Sequence, residues 1–240
     1  MKNGQRLGAL ARAILDKPDL KDAYAALLSA IRLSVPFGSG KLILVTSTQP
    51  SEGKTTVASC LAIAATLAGQ NVLLVDGDLR RPTLTAAAGI AGSVGFGEVL
   101  EGRDSAGDAI SAVELLEDAG EAGVLSVMGA GRKPPEFLPG VDWARARRTF
   151  QSLSERYAFV LLDSPPILAA NDALLFAGMT DGVLLVVGAG SADRQDARRA
   201  KEQLEPIGTP IIGAVLNQFD PKIHGRASKP YRGYDRDDRR

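Results

Sequence analysis

LILVTSTQPSEGKTTVASCLA, residues 42–62, is the stretch that decides the fold. It opens with a continuous apolar run at 42–45, as expected of a strand buried on both faces. A loop follows, ends in Gly53-Lys54-Thr55, and gives way at once to apolar helical sequence. Strand, loop and helix N-terminus in this order turn a set of backbone N–H groups toward a polyphosphate. Ser51, Glu52, Gly53, Lys54, Thr55 and Thr56 are therefore the candidate phosphate-binding set. Lys54 would reach the β and γ phosphates, and the Thr55 hydroxyl would ligate Mg²⁺. The strict phosphate-loop pattern wants Gly five residues before Gly53, and this chain has Thr48 there. The bland alternative is a glycine turn between a strand and a helix.

Working outward, further short apolar runs at 72–75, 124–127, 159–162, 183–187 and 211–215 read as buried strands. Helical segments are expected at 55–68, 142–156, 171–178 and 193–205. This alternation implies an α/β fold with a mostly parallel sheet covered by helices on both faces. NVLLVDGDLRRP, 71–82, puts Asp76 and Asp78 at the carboxyl end of one strand, and FVLLDSPP, 159–166, puts Asp163 at the end of another. Ligands of open α/β sheets bind outside the carboxyl ends of the strands. One such acid is an ordinary turn former; three behind a phosphate loop make a metal and phosphoryl-transfer site.

Three segments are expected. Residues 1–36 form a helical lead-in, with Tyr24, Leu27, Leu28 and Ile31 on one helix face; 37–221 form the nucleotide domain; 222–240 form a disordered, basic, tyrosine-bearing tail. The stretch 129–140, with six Gly or Pro in twelve residues, reads as a loop. Of 240 residues, 45% are hydrophobic and 23% charged, which excludes a wholly disordered chain. Lys plus Arg number 28 and Asp plus Glu 28, so no bulk charge points to nucleic acid. Both ends are nonetheless basic, +3 over 1–36 and +4 over 222–240, around an acidic middle. A single Cys excludes an intramolecular disulfide, and a single His, His224, excludes a His-rich metal site. The apolar run 57–68 falls short of the roughly 20 residues that cross a bilayer. A cytoplasmic chain is expected, brought to the membrane by a partner.

PSEGKTT, VLLVDGDLRRP and FVLLDSPPILAANDA together resemble the bacterial tyrosine kinases of exopolysaccharide and capsule synthesis, P-loop NTPases with Walker A, a second Asp-x-Asp motif and Walker B. The resemblance covers about 21–220 and includes GFGEVLEG at 95–102 and AVLNQFD at 214–220. It implies ATP and Mg²⁺ as cofactors, Asp76 as base, Asp78 and Asp163 as organisers of the metal, and Asn217 at the position that reads adenine. Asn217 in an ordinary turn is the alternative. It also implies autophosphorylation of tail tyrosines, here Tyr231 and Tyr234, activation by a membrane-bound polysaccharide co-polymerase, and a cognate tyrosine phosphatase. Self-association is part of the family pattern, but the helix that carries Glu and two Arg in relatives has Asp22, Ala25 and Leu28 here.

Two other functions compete. A ParA/MinD-type regulatory ATPase would carry a second lysine four residues before the last loop glycine, where this chain has Gln49. An idle nucleotide-binding adaptor of a polysaccharide exporter would be free to lose the phosphate and metal residues, and all of them are present.

Overall fold

The computed structural model describes residues 5–34, 40–116, 123–132, 140–190 and 193–220. Seven strands form one sheet in the order β3-β4-β2-β5-β1-β6-β7. They are β1 (Lys41–Ser47), β2 (Val72–Asp76), β3 (Ile110–Glu114), β4 (Val124–Met128), β5 (Phe159–Asp163), β6 (Gly182–Gly188) and β7 (Ile211–Asn217). Every neighbouring pair is parallel except β3 with β4. The six strands expected from apolar runs are present. β3 is an addition: it is an edge strand whose only buried residue is Val113, so it carries no apolar run to find.

Side chains alternate across the sheet with period two, as strand geometry requires. Ile43, Val45, Leu74, Leu161, Leu184 and Val186 enter one core, whereas Leu42, Leu44, Leu73, Leu162, Val183 and Leu185 enter the other. Both halves are apolar because helices cover both faces. Over the first face lie α1 (Gln5–Asp16), α2 (Pro18–Ser34), α3 (Lys54–Leu67) and α4 (Thr83–Ala88). Over the second lie α5 (Phe96–Glu101), α6 (Trp143–Ser154), α7 (Asp172–Ala177) and α8 (Arg194–Leu204). The second core centres on Phe96, whose ring meets those of Phe150 and Phe176 edge-on at 5.4 and 5.2 Å.

Helix α3 is buried on nearly every side, because α1 and α2 pack on its outer surface. Leu7, Ala11 and Ile14 of α1 and Leu28 and Ile31 of α2 join the same core. Cys60 lies there beside Tyr24, and burial pushes both the thiol and the phenol above their usual ranges. On α2, Asp22 and Ala25 are exposed, while Leu28 turns into the core. No helix of the described residues is long and apolar enough to cross a membrane. The 222–240 tail, with Tyr231 and Tyr234, lies outside the described residues, as does His224.

Candidate active site

Strand order builds the site. β5 lies between β1 and β2, so the loop after β1, the Asp76–Asp78 turn after β2 and Asp163 at the end of β5 share one end of the sheet. Asp76 and Asp163 are register partners on neighbouring strands. Gly77 makes the turn possible: its N–H donates to Asp163 O at 2.7 Å, and a Cβ there would strike that carbonyl and Leu162.

The phosphate loop is braced from inside by a carboxylate. Glu52 is completely buried and accepts from Thr48 Oγ1 at 2.8 Å, Gln49 N at 2.8 Å and Gly188 N at 3.1 Å. Thr48 therefore does work that the expected glycine could not: its hydroxyl ties the loop to Glu52. The Glu52 side chain turns away from the phosphate position, leaving its backbone as the part available to a nucleotide. Gly53 adopts φ +87°, the left-handed region that favours glycine, and a Cβ would collide with Asn217 Nδ2. Asn217 Nδ2 donates to Glu52 O at 2.8 Å and Gln218 Nε2 to Ser51 O at 2.9 Å, so the end of β7 is fastened to the loop. Ser51, at φ 69°, is one of two described non-glycine residues with positive φ.

At the start of α3, Lys54 Nζ lies 3.1 Å from Asp78 Oδ2 and Thr55 Oγ1 donates to Asp163 Oδ2 at 2.7 Å. Asp163 is wholly buried, and its other oxygen, Oδ1, has no hydrogen-bond partner among the described residues. Burial above all, with Asp76 and Asp78 nearby, pushes its carboxyl up to about 7 against the opposing pull of Lys54 and Thr55. An orphaned buried carboxylate oxygen beside a threonine hydroxyl is a hard-oxygen donor set, the kind Mg²⁺ takes. Among the described residues no group of three or more His, Cys, Asp or Glu forms a complete metal cage. The fit is to an ion held largely by phosphate and water, with Thr55, Asp163 and Asp78 supplying the protein's share.

Asp76 comes to the same corner with its carboxylate largely engaged. Oδ2 accepts from both Thr85 N and Thr85 Oγ1 at 2.7 Å, and Oδ1 accepts from Asp78 N at 3.2 Å. Burial, outweighing these hydrogen bonds, raises it to about 6. Thr56, the second threonine of the loop, occupies the first turn of α3.

Several further residues complete this corner, and of these Thr83, Thr85 and Asp172 went unread in the sequence. Thr85, which orients Asp76, also accepts from Ala130 N at 2.8 Å. Thr83 Oγ1 lies 3.4 Å from Thr55 Oγ1. Arg80 makes a two-point pair with Asp172, Nε to Oδ2 at 3.0 Å and Nη2 to Oδ1 at 3.3 Å. The available signal was proximity to DGDLRRP and SPP, but partners 92 positions apart cannot be matched from spacing. A cavity of about 440 Å³ opens here, lined from the loops after β1, β2 and β5.

Comparison with known proteins places this geometry. The model of the CobQ/CobB/MinD/ParA nucleotide-binding domain matches residues 43–232. The tyrosine-protein kinase YwqD of Bacillus subtilis (strain 168) is 30% identical over 212 residues, covering 87% of this chain and 86% of that protein. The kinase domain of the Escherichia coli tyrosine kinase ETK superposes with a TM-score of 0.75 at 28% identity, covering 90% of this chain and 80% of that one. The septum site-determining protein MinD of Pyrococcus horikoshii OT3, complexed with Mg-ADP, gives a TM-score of 0.61 at 25% identity, covering 74% of this chain and 70% of that one.

Proposed function

We infer the function from a premise of descent: this chain belongs to the CobQ/CobB/MinD/ParA nucleotide-binding family and, within it, to the bacterial tyrosine kinases. It transfers the γ-phosphoryl group of ATP to tyrosines of its own tail. The observation that carries this reading is the convergence of Lys54, Thr55, Asp78 and Asp163 at one corner, with the buried Oδ1 of Asp163 left without a hydrogen-bond partner among the described residues. The rival ATPase reading is weakened at Gln49, whose amide donates to Asp196 of the same chain at 3.3 Å where a ParA/MinD lysine would stand.

Phosphoryl transfer asks the protein mainly for position and charge compensation. Gly53, Lys54, Thr55 and Thr56 hold the phosphates from the loop and the helix N-terminus, with the backbone of Ser51 and Glu52 completing the cradle. A bound Mg²⁺ supplies charge neutralisation at the phosphates, and Thr55, Asp163 and Asp78 are the groups that would hold it. Asn217 stands at the adenine end, where its amide already spans to the loop. The tyrosine oxygen forms its bond to the γ-phosphorus as the bond to ADP breaks, and the phenolic proton passes to Asp76. A carboxyl near 6 suits a base that works close to neutrality. Tyr231 and Tyr234 are the acceptors, since Tyr157 is buried and Tyr24 lies partly buried against Cys60. A membrane-bound co-polymerase recruits and activates the chain for exopolysaccharide or capsule synthesis, and a tyrosine phosphatase resets it.

Incubation with γ-labelled ATP and Mg²⁺, followed by phosphotyrosine mapping, tests the assignment. Lys54→Met is expected to abolish labelling with the circular dichroism spectrum unchanged. Asp76→Asn is expected to lower turnover by about 10²–10⁴-fold while nucleotide affinity holds. Wild-type labelling by folded Lys54→Met, or an Asp76→Asn defect confined to ATP affinity, would overturn these roles.

A further inference from the structure

The cavity at the site has two chemically different walls. One is the phosphate-binding corner already described. The other consists of Pro165, Pro166, Ala169 and Ala170 from the segment after β5, with Arg80 and Arg81 from the loop after β2. Proline and alanine side chains bring apolar surface and no hydrogen-bond donor, so that part of the wall is suited to an aromatic ring, and the arginines supply its only charge.

The two arginines are not equivalent. Arg80 is committed to Asp172 by its two-point pair. Arg81 is exposed, and its guanidinium makes no hydrogen bond or ion pair with any described residue; only its backbone is engaged, N–H to Asp78 Oδ1 and C=O to Thr83 N. The adenine end lies elsewhere, because Asn217 and Gln218 fasten to Glu52 and Ser51 and do not line this cavity. The apolar wall and the uncommitted cation therefore belong to the end where the phosphoryl acceptor enters.

The tail offers two tyrosines whose next residues carry opposite charge. Tyr231 is followed by Arg232, whereas Tyr234 is followed by Asp235, with three Asp and three Arg interspersed over 235–240. We propose that this wall is the acceptor-docking subsite and that Arg81 selects the Tyr234 segment of this chain's tail. The phenol ring lies on Pro165, Pro166, Ala169 and Ala170, and the Asp235 carboxylate pairs with the Arg81 guanidinium. Arg81 repels Arg232 in the alternative register, so Tyr234 is phosphorylated ahead of Tyr231. The proposal rests on the kinase reading above and adds its sequence selectivity.

The test uses the full chain, with a non-hydrolysable ATP analogue and Mg²⁺, and two fluorescent peptides spanning 226–233 and 233–240. Anisotropy is expected to show the 233–240 peptide binding about three- to tenfold more tightly than its Asp235→Asn form, the range of one exposed to partly buried ion pair. Arg81→Ala should erase that difference, and Arg81→Glu should favour the 226–233 peptide. In the full chain with γ-labelled ATP, Arg81→Glu should move the first phosphate from Tyr234 to Tyr231. Unchanged peptide preference in Arg81→Ala overturns the proposal, as does a loss of nucleotide affinity that assigns Arg81 to phosphate. Arg81-dependent peptide binding with no phosphate transfer supports the docking subsite and overturns the kinase reading instead.

Discussion

At the scale of single residues, Asp163 carries the sharpest consequence. Its buried carboxyl titrates near 7 instead of the usual value near 4, so the folded chain holds a proton there that the unfolded chain releases. Between about pH 4 and 7 the folded state binds more protons than the unfolded one, and its stability falls as pH rises. Above the folded value the ionised carboxylate sits buried with one oxygen unpartnered, and the stabilisation present at low pH is gone. Thermal melts of the nucleotide-free protein should therefore show Asp163→Asn gaining on wild type from pH 5 to pH 8. If Asp163 helps hold Mg²⁺ as proposed, binding of Mg²⁺ and nucleotide should reverse the preference, because the ion requires the charged form. Calorimetry near pH 6.5, in buffers of different ionisation enthalpy, should detect proton release when Mg-ADP binds to wild type and less release with Asp163→Asn. Equal melting differences at both pH values would show that Asp163 is already ionised.

At the scale of an element, the phosphate loop is braced by the buried Glu52 carboxylate, with Gly53 its single glycine. Thr48, Gln49 and Gly188 all direct donors at that one buried carboxylate, which links the loop after β1 to the end of β6. Glu52→Ala strands these donors in the interior at about 1–3 kcal/mol each, so a loss on the order of 3 kcal/mol is expected in urea unfolding. Glu52→Gln keeps an acceptor oxygen and should lose less. ATP affinity should fall in the same order, since a loosened loop has to be ordered again by the ligand. A Glu52→Ala protein as stable as wild type would mean that the loop is held by other contacts. The helices of 1–36 matter at this scale too. They cover the outer surface of α3, whose residues are apolar nearly all round because that helix faces the sheet on one side and α1 and α2 on the other.

At the scale of the whole molecule, Tyr157 is buried and Tyr24 partly buried in the fold, whereas Tyr231 and Tyr234 lie outside the described residues. Replacing Tyr231 and Tyr234 together by Phe should remove most autophosphorylation and leave ATP binding unchanged. Mixing wild type with full-length Lys54→Met should put label on the inactive copies, if one molecule's site takes up another's tail. Labelling confined to the active copies would make the reaction intramolecular. Two added phosphates carry about −1.5 to −2 charges each and would nearly or fully cancel the tail's +4. On the altered helix Leu28 faces inward and is not available as an exposed interface residue.

Much of this was readable in one dimension, because strands buried on both faces announce themselves as apolar runs and a phosphate loop is local chemistry. The six parallel strands, helices α3, α6, α7 and α8, Lys54, Thr55 and the three strand-end acids all came from such short-range patterns. Helices α4 and α5 did not: at six residues each they give a 3.6-residue period little length to register, and α7, equally short, stands at the edge of what such a pattern shows. β3 did not either, since an edge strand with one buried side chain has no need of an apolar sequence. What only the tertiary structure decided was pairing. Insertion of β5 between β1 and β2 brings Asp163 within 2.7 Å of a hydroxyl 108 residues away, leaves its second oxygen unpartnered and raises its titration point. The same long-range packing turns Glu52 inward, occupies Asp76 with Thr85, commits Arg80 to Asp172 and leaves Arg81 uncommitted. Residue types and local spacing select which groups are present, but hydrogen-bond partnership and burial are properties of groups distant in the chain, and strand order fixes them.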